Sequence, residues 1–180
     1  SMMFYSRNCK VILATIHCSL TDAINSLNKK LIEQKIMHAD YAMKKWGFPR
    51  PEIFVCALNP HAGEEGAFGM DEINIIKPAV KAAQRKKINA TGPYPADTIF
   101  LKVMNNPSAC IVSMYHDQGL IPFKLFSFSK GVNVTIGLPV IRTSPDHGTA
   151  YDIAWKGIAN CGSFREAVRL AIKSLEHGKE

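Results

Sequence analysis

"SACIVSMYHDQGLIPFK", Ser108 to Lys124, changes character in the middle. Its first half, Ser108 to Tyr115, is a short continuous apolar run centred on Ile111 and Val112, the pattern of a strand covered on both faces. Its second half opens abruptly on His116 and Asp117. The same arrangement occurs twice earlier: "KVILATI" (10–16) ends at His17, and "PEIFVCAL" (51–58) leads through Asn59 and Pro60 to His61. A fourth run, "VNVTIGL" (132–138), closes on Gly137, Leu138 and Pro139.

Helical patterns separate these strands. Ser19 with Asp22 resembles a capping box, and Ile24, Leu27, Leu31, Ala39, Met43 and Trp46 recur near helical period until Gly47 and Pro49 stop the helix. A second helix is expected from about Asp71 to Lys87, after the glycine-rich "HAGEEGAFG". Two more are expected near residues 148–156 and from Ser163, which forms a capping box with Glu166 and is followed by Gly178. No repeat, low-complexity tract or Ser/Gly linker interrupts this order. Strands alternating with helices predict an α/β protein with a largely parallel sheet and flanking helices.

If the strands are parallel neighbours, His17, His61 and His116 share the carboxyl edge of the sheet, where open α/β folds place their ligands. Three imidazoles there form part of a coordination sphere for a divalent ion, zinc above all, with positions left open for substrate. Taken singly, each histidine reads as a loop or capping residue. His38 and His177 lie on helices without a partner, and His147 sits with Asp146 in a loop at a helix start. Asp117 and Asp97 lie in loops near the same edge, Asp97 in the Pro-rich "GPYPADT". Either one orients an imidazole or takes a proton beside a metal, while Asp97 alone reads as a helix N-cap. Lys124, Asn133 and Arg142 fall near strand ends and suit the phosphate and carboxylate groups of a small acid, although each singly reads as a surface residue. "HAGEEGAFG" is not a dinucleotide fingerprint, and Glu64 and Glu65 would repel a pyrophosphate.

Composition narrows the class. The 180 residues are 47% hydrophobic and 21% charged, with no apolar run near the length of a membrane span, and a cytoplasmic protein is expected. Ser1-Met2-Met3 reads as an added residue before an internal start, with no secretory signal behind it. The formal charge of +7 is spread over helix faces such as Lys29, Lys30, Lys44 and Lys45, with no basic and aromatic stripe, so a small anionic substrate is favoured over nucleic acid. The five cysteines, Cys9, Cys18, Cys56, Cys110 and Cys161, show no C-x-x-C spacing, and Cys56 and Cys110 read as core thiols.

"ALNPHAGE", "GPYPADTIF", "MYHDQGLIPFK" and "VNVTIGLPVIRTSPDHGTA" together resemble the 4-hydroxythreonine-4-phosphate dehydrogenase family of pyridoxal phosphate biosynthesis. The likeness runs in order over almost the whole chain and corresponds to the family's carboxyl-terminal half or slightly more. It implies an isocitrate/isopropylmalate-dehydrogenase-like fold, a homodimer with the active site at the subunit interface, NAD, and a divalent metal (zinc, with magnesium or cobalt as alternatives). By motif the metal ligands are His17, His61 and His116; substrate contacts fall on Lys124, Asn133 and Arg142, with Asp97 and Asp117 nearby. The chain departs from the family at "TIHCSL", where Thr-Thr-His, an apolar residue and Pro-Leu are usual. It also has Glu65 and Ala67 where Gly and His are usual.

On this resemblance residues 1–140 form most of a metal-bearing domain, and 141–180 belong to a second domain whose amino-terminal part is absent. The implied reaction is NAD-dependent oxidation and decarboxylation of 4-phosphooxy-L-threonine. Alternatives are a related dehydrogenase of another phosphorylated hydroxy acid or a cis-dihydrodiol, and a truncated, non-catalytic piece that binds metal or dimerises.

Overall fold

The computed structural model describes residues 1–127 and 130–176. Its strands are β1 (Met2–Tyr5), β2 (Lys10–Leu13), β3 (Glu52–Cys56), β4 (Ala90–Tyr94), β5 (Ala109–Ser113), β6 (Val132–Thr135) and β7 (Arg142–Pro145). They join one sheet in the order β4-β3-β5-β2-β1-β6-β7. The pairs β4–β3, β3–β5 and β5–β2 are parallel, whereas β1 pairs antiparallel with β2 and β6, and β6 with β7. The fold is α/β with a parallel half, as the alternation of strand and helix predicted.

Helices cover both faces. On one side α2 (Lys29–Lys45), α3 (Lys77–Arg85) and α6 (Gly162–Glu176) bring Ile32, Ile36, Met43, Ala79, Ala83, Ala167 and Leu170 against Ile12, Ile53, Val112 and Val134. On the other, α4 (Ala96–Val103) and α5 (His116–Ser127) set Ile99, Phe100, Leu120 and Phe123 against Phe4, Val11, Leu13 and Ile111. Burial of both faces is why β2 and β5 read as unbroken apolar runs. Cys56 and Cys110 are core thiols, and burial pushes Cys56 up to about 12. No helix among the described residues is long and apolar enough to cross a membrane.

Local chemistry overrides several sequence expectations. The single helix expected from Ser19 to Trp46 is two: α1 (Leu20–Ser26) and α2, because Leu27 and Asn28 are extended and the Asn28 side chain accepts the Leu31 N–H to begin anew. Met2 and Met3 belong to β1, inside the sheet between β2 and β6. β4, "ATGPY", was hidden by Gly92 and Pro93, which an edge strand tolerates because its outer N–H groups need no partner. The segment after His116 is not a loop but α5, disguised by Gly119 and Pro122. The helix expected near 148–156 is one turn, Tyr151–Ile153, flanked by positive φ at Ala150 and Trp155.

Ser163 does not close a capping box with Glu166: its Oγ donates to the Gly131 carbonyl and accepts from Asp146 N, and Glu166 pairs with Arg169. The division expected near residue 140 falls between β6 and β7, which are paired strands, and α6 packs onto the same core as α2. His38 is half-buried and has a partner, Ser1 Oγ at 2.8 Å from its Nδ1. His177 and Gly178 lie outside the described residues.

Candidate active site

Because β3, β5 and β2 are parallel and adjacent, the segments bearing His61, His116 and His17 leave the sheet at the same edge. Side-chain and backbone bonds continue the alignment past the strand ends. Thr15 Oγ1 donates to the Met114 carbonyl at 2.9 Å, joining the exits of β2 and β5, and Ala57 N donates to the Tyr94 carbonyl at 2.8 Å, joining those of β3 and β4. Gln118 joins β5 to β3: its Oε1 accepts the Met114 N–H at 2.7 Å and its Nε2 donates to the Ala57 carbonyl at 2.8 Å.

His17 and His116 come together with ring centroids 5.7 Å apart. Both line an open cavity of about 550 Å³ with Thr15, Cys18, Tyr115 and Asp117. His116 Nδ1 lies 2.6 Å from Asp117 Oδ1. A carboxylate only accepts, so Nδ1 carries the proton and Nε2 is left for a ligand, the arrangement by which an acidic neighbour orients a working imidazole.

His61 is not among the residues lining this cavity. Its ring lies 6.1 Å from that of Phe68, and among the described residues no three His, Cys, Asp or Glu side chains converge to hold a metal ion. It begins a run of left-handed backbone, with φ of 52°, 57°, 77°, 42° and 56° from His61 to Glu65. Only Gly63 adopts such angles readily, and a Cβ there would lie 2.5 Å from Glu72 Oε2. Glu72, a residue sequence reading passed over, is buried and organises the loop. Its Oε1 accepts the N–H groups of Leu58 and Asn59, each at 2.8 Å, and its Oε2 accepts Asn59 Nδ2 at 3.0 Å. Burial pushes the Glu72 carboxyl up, but these hydrogen bonds outweigh it and hold the group below its ordinary value.

The remaining candidates spread along the fold. Asp97 is exposed in the first turn of α4, at the exit of β4, and is not the N-cap, a position taken by Pro95. Lys124 stands eight residues along α5 from His116, about 12 Å of helix at 1.5 Å per residue. Asn133 on β6 and Arg142 on β7 share a sheet face by register, with Arg142 Nη1 donating to Thr135 Oγ1 at 3.0 Å. Asn133 Oδ1 and Asp146 Oδ2 are buried without a hydrogen-bond partner among the described residues. Burial raises the Asp146 carboxyl, an effect offset in part by Lys124, His147 and His116. Asp146, named in the sequence only as a loop residue, is therefore electrostatically coupled to two of the candidates. Unpartnered buried oxygens of this kind are costly in a folded protein.

A family model for "Pyridoxal phosphate biosynthetic protein PdxA" matches residues 1–171. The chain belongs to this family. A 4-hydroxythreonine-4-phosphate dehydrogenase of Desulforapulum autotrophicum is 49% identical over 172 residues, covering 95% of this chain and 51% of that protein. A D-threonate 4-phosphate dehydrogenase of Pectobacterium atrosepticum is 46% identical, over 96% of this chain and 53% of its own length. The crystal structure of a 4-hydroxythreonine-4-phosphate dehydrogenase from Klebsiella pneumoniae superposes with a TM-score of 0.84 at 48% identity, covering 96% of this chain and 52% of that one. The chain thus spans about half the length of the PdxA relatives it matches.

Against the metal that the PdxA resemblance implies, the residues fit in part. The His17–His116 pair and the Asp117 carboxylate behind His116 suit a divalent ion, whereas the third imidazole is not gathered with them within this chain.

Proposed function

We propose that the protein containing this chain is a cytoplasmic NAD-dependent dehydrogenase of a phosphorylated hydroxy acid, acting on 4-phosphooxy-L-threonine in pyridoxal phosphate biosynthesis. The observation that carries the reading is the His17–His116 pair in its cavity, with Asp117 on His116 Nδ1, in a chain that matches the PdxA family over residues 1–171.

His17, His61 and His116 would hold a divalent ion, zinc before magnesium or cobalt, in a homodimer whose interface would complete the ligand set that one chain leaves open. Such an ion supplies Lewis acidity to the substrate's secondary alcohol and to the enolate left by decarboxylation. NAD would supply the hydride acceptor, and this chain's residues bind, orient and move protons. Asp117 orients His116 and takes a proton at the cavity mouth, with Asp97 as a second carboxylate at the same sheet edge. Lys124, Asn133 and Arg142 bind the anionic groups, Arg142 by its forked guanidinium.

NADH formation by the purified protein, with 4-phosphooxy-L-threonine, D-threonate 4-phosphate and an unphosphorylated cis-dihydrodiol compared side by side, tests the proposal. The expected preference is for the first. D-threonate 4-phosphate is the second reading, favoured by the Pectobacterium relative. Preference for the diol, or no turnover with any of the three, overturns the reading. His116→Ala is expected to lose bound metal and turnover together, measured by metal analysis and the same assay; retention of both sinks the role given to His116.

A further inference from the structure

Backbone pairing between β3 and β5 ends at Val55 and Val112, well before His61. Beyond that point Ala57, Leu58 and Asn59 are each held by a side chain from elsewhere. Gln118, on the first turn of α5 two residues after His116, takes the Ala57 carbonyl while also holding Met114 N. Glu72 takes the N–H groups of Leu58 and Asn59 and the Asn59 amide, and Asp71 accepts the same Asn59 Nδ2 at 3.0 Å. Pro60, with its restricted φ, passes the constraint to His61.

From this arrangement we infer that Gln118 and Glu72 are positioning residues, a two-sided clamp that fixes His61 relative to His116. The inference rests on the reading of these histidines as working residues. Strand pairing carries Ala57 to β4 but not to β5, and among the described residues the left-handed run from His61 to Glu65 has no partner strand. The clamp instead reads the two ends of the problem directly: Gln118 is fixed to the strand that delivers His116, and Glu72 lies beneath the loop that delivers His61.

Gln118→Glu separates the two halves of the Gln118 contact. It keeps an acceptor for Met114 N and removes the donor to Ala57; Gln118→Met removes both. Hydrogen exchange of the metal-free protein, read by mass spectrometry, is expected to show faster exchange confined to 57–66 in Gln118→Glu, and in both 57–66 and 113–117 in Gln118→Met. Zinc titration is expected to show affinity about 10- to 100-fold weaker in Gln118→Glu, the usual cost of disturbing a group behind a ligand.

Wild-type exchange at 57–66 in Gln118→Glu overturns the inference. Faster exchange across the whole chain, or faster exchange at 57–66 with unchanged zinc affinity, also overturns it. A wild-type protein that neither binds zinc nor turns over any substrate defeats the functional reading instead, and the exchange pattern then decides the clamp by itself.

Discussion

Glu72 shows how one buried carboxylate replaces missing secondary structure. Three donors satisfy it, and they hold its carboxyl below the ordinary value although burial pushes the other way. Its folded pKa lies below the ordinary 4.5, so the stability it contributes is present above about that pH and is lost as pH falls through the lower, folded value. Glu72→Ala leaves the Leu58 and Asn59 N–H groups without their acceptor and is expected to cost about 1–3 kcal/mol in urea unfolding at pH 7. The difference from wild type should shrink in the acid range; a constant difference across pH would mean that Glu72 acts by packing alone. Nothing in "DEIN" distinguishes Glu72 from Asp71 beside it, since its burial depends on a loop fourteen residues away in sequence wrapping over it.

At the scale of elements, α5 places the site. Its first residue is His116, and its seat on the sheet is cut to fit at Gly119, where a Cβ would lie 2.7 Å from Leu13 Cδ2, 2.8 Å from Val11 Cγ1 and 2.9 Å from Ser113 Oγ. Gly119→Ala therefore forces either α5 or the Leu13, Val11 and Ser113 side chains beneath it to shift. The expected loss is about 1–3 kcal/mol in chemical denaturation, the range for overpacking a filled core, together with reduced turnover if His116 and Gln118 move with the helix. Unchanged stability would show that α5 sits less tightly on the sheet than this. Gly119 and Pro122 are ordinarily helix breakers, so the local pattern reads as a loop, and only contact with β2 and β5 explains a glycine that serves close approach.

For the whole molecule, α5 is the first surface to test for the proposed interface, because it begins at His116. Leu101 on α4 and Ile121 and Leu125 on α5 are exposed, Leu125 by 78%, on the helices that cover this side of the sheet. In the proposed homodimer Leu125→Glu is expected to shift sedimentation towards monomer and lower turnover while leaving the circular-dichroism melt in place. A dimer unaffected by the charge would put the interface elsewhere, and α6, with Phe164, Val168, Ile172 and Leu175 exposed, is the next surface to test in the same way.

The strands ending at His17, His61 and His116 were legible because a strand buried on both faces must be apolar throughout, and a histidine just after it is conspicuous. Their common edge followed from the parallel alternation, and the motifs around them carried the family. The tertiary structure alone decided the rest. It brought His17 and His116 to 5.7 Å without gathering a third metal-ligating side chain among the described residues, it seated Met2–Tyr5 inside the sheet, and it set Gln118 and Glu72 on the backbone that leads to His61. Burial, hydrogen-bond satisfaction and charge coupling depend on which distant segments meet. Apolar periodicity records only what each segment buries, not what it buries it against.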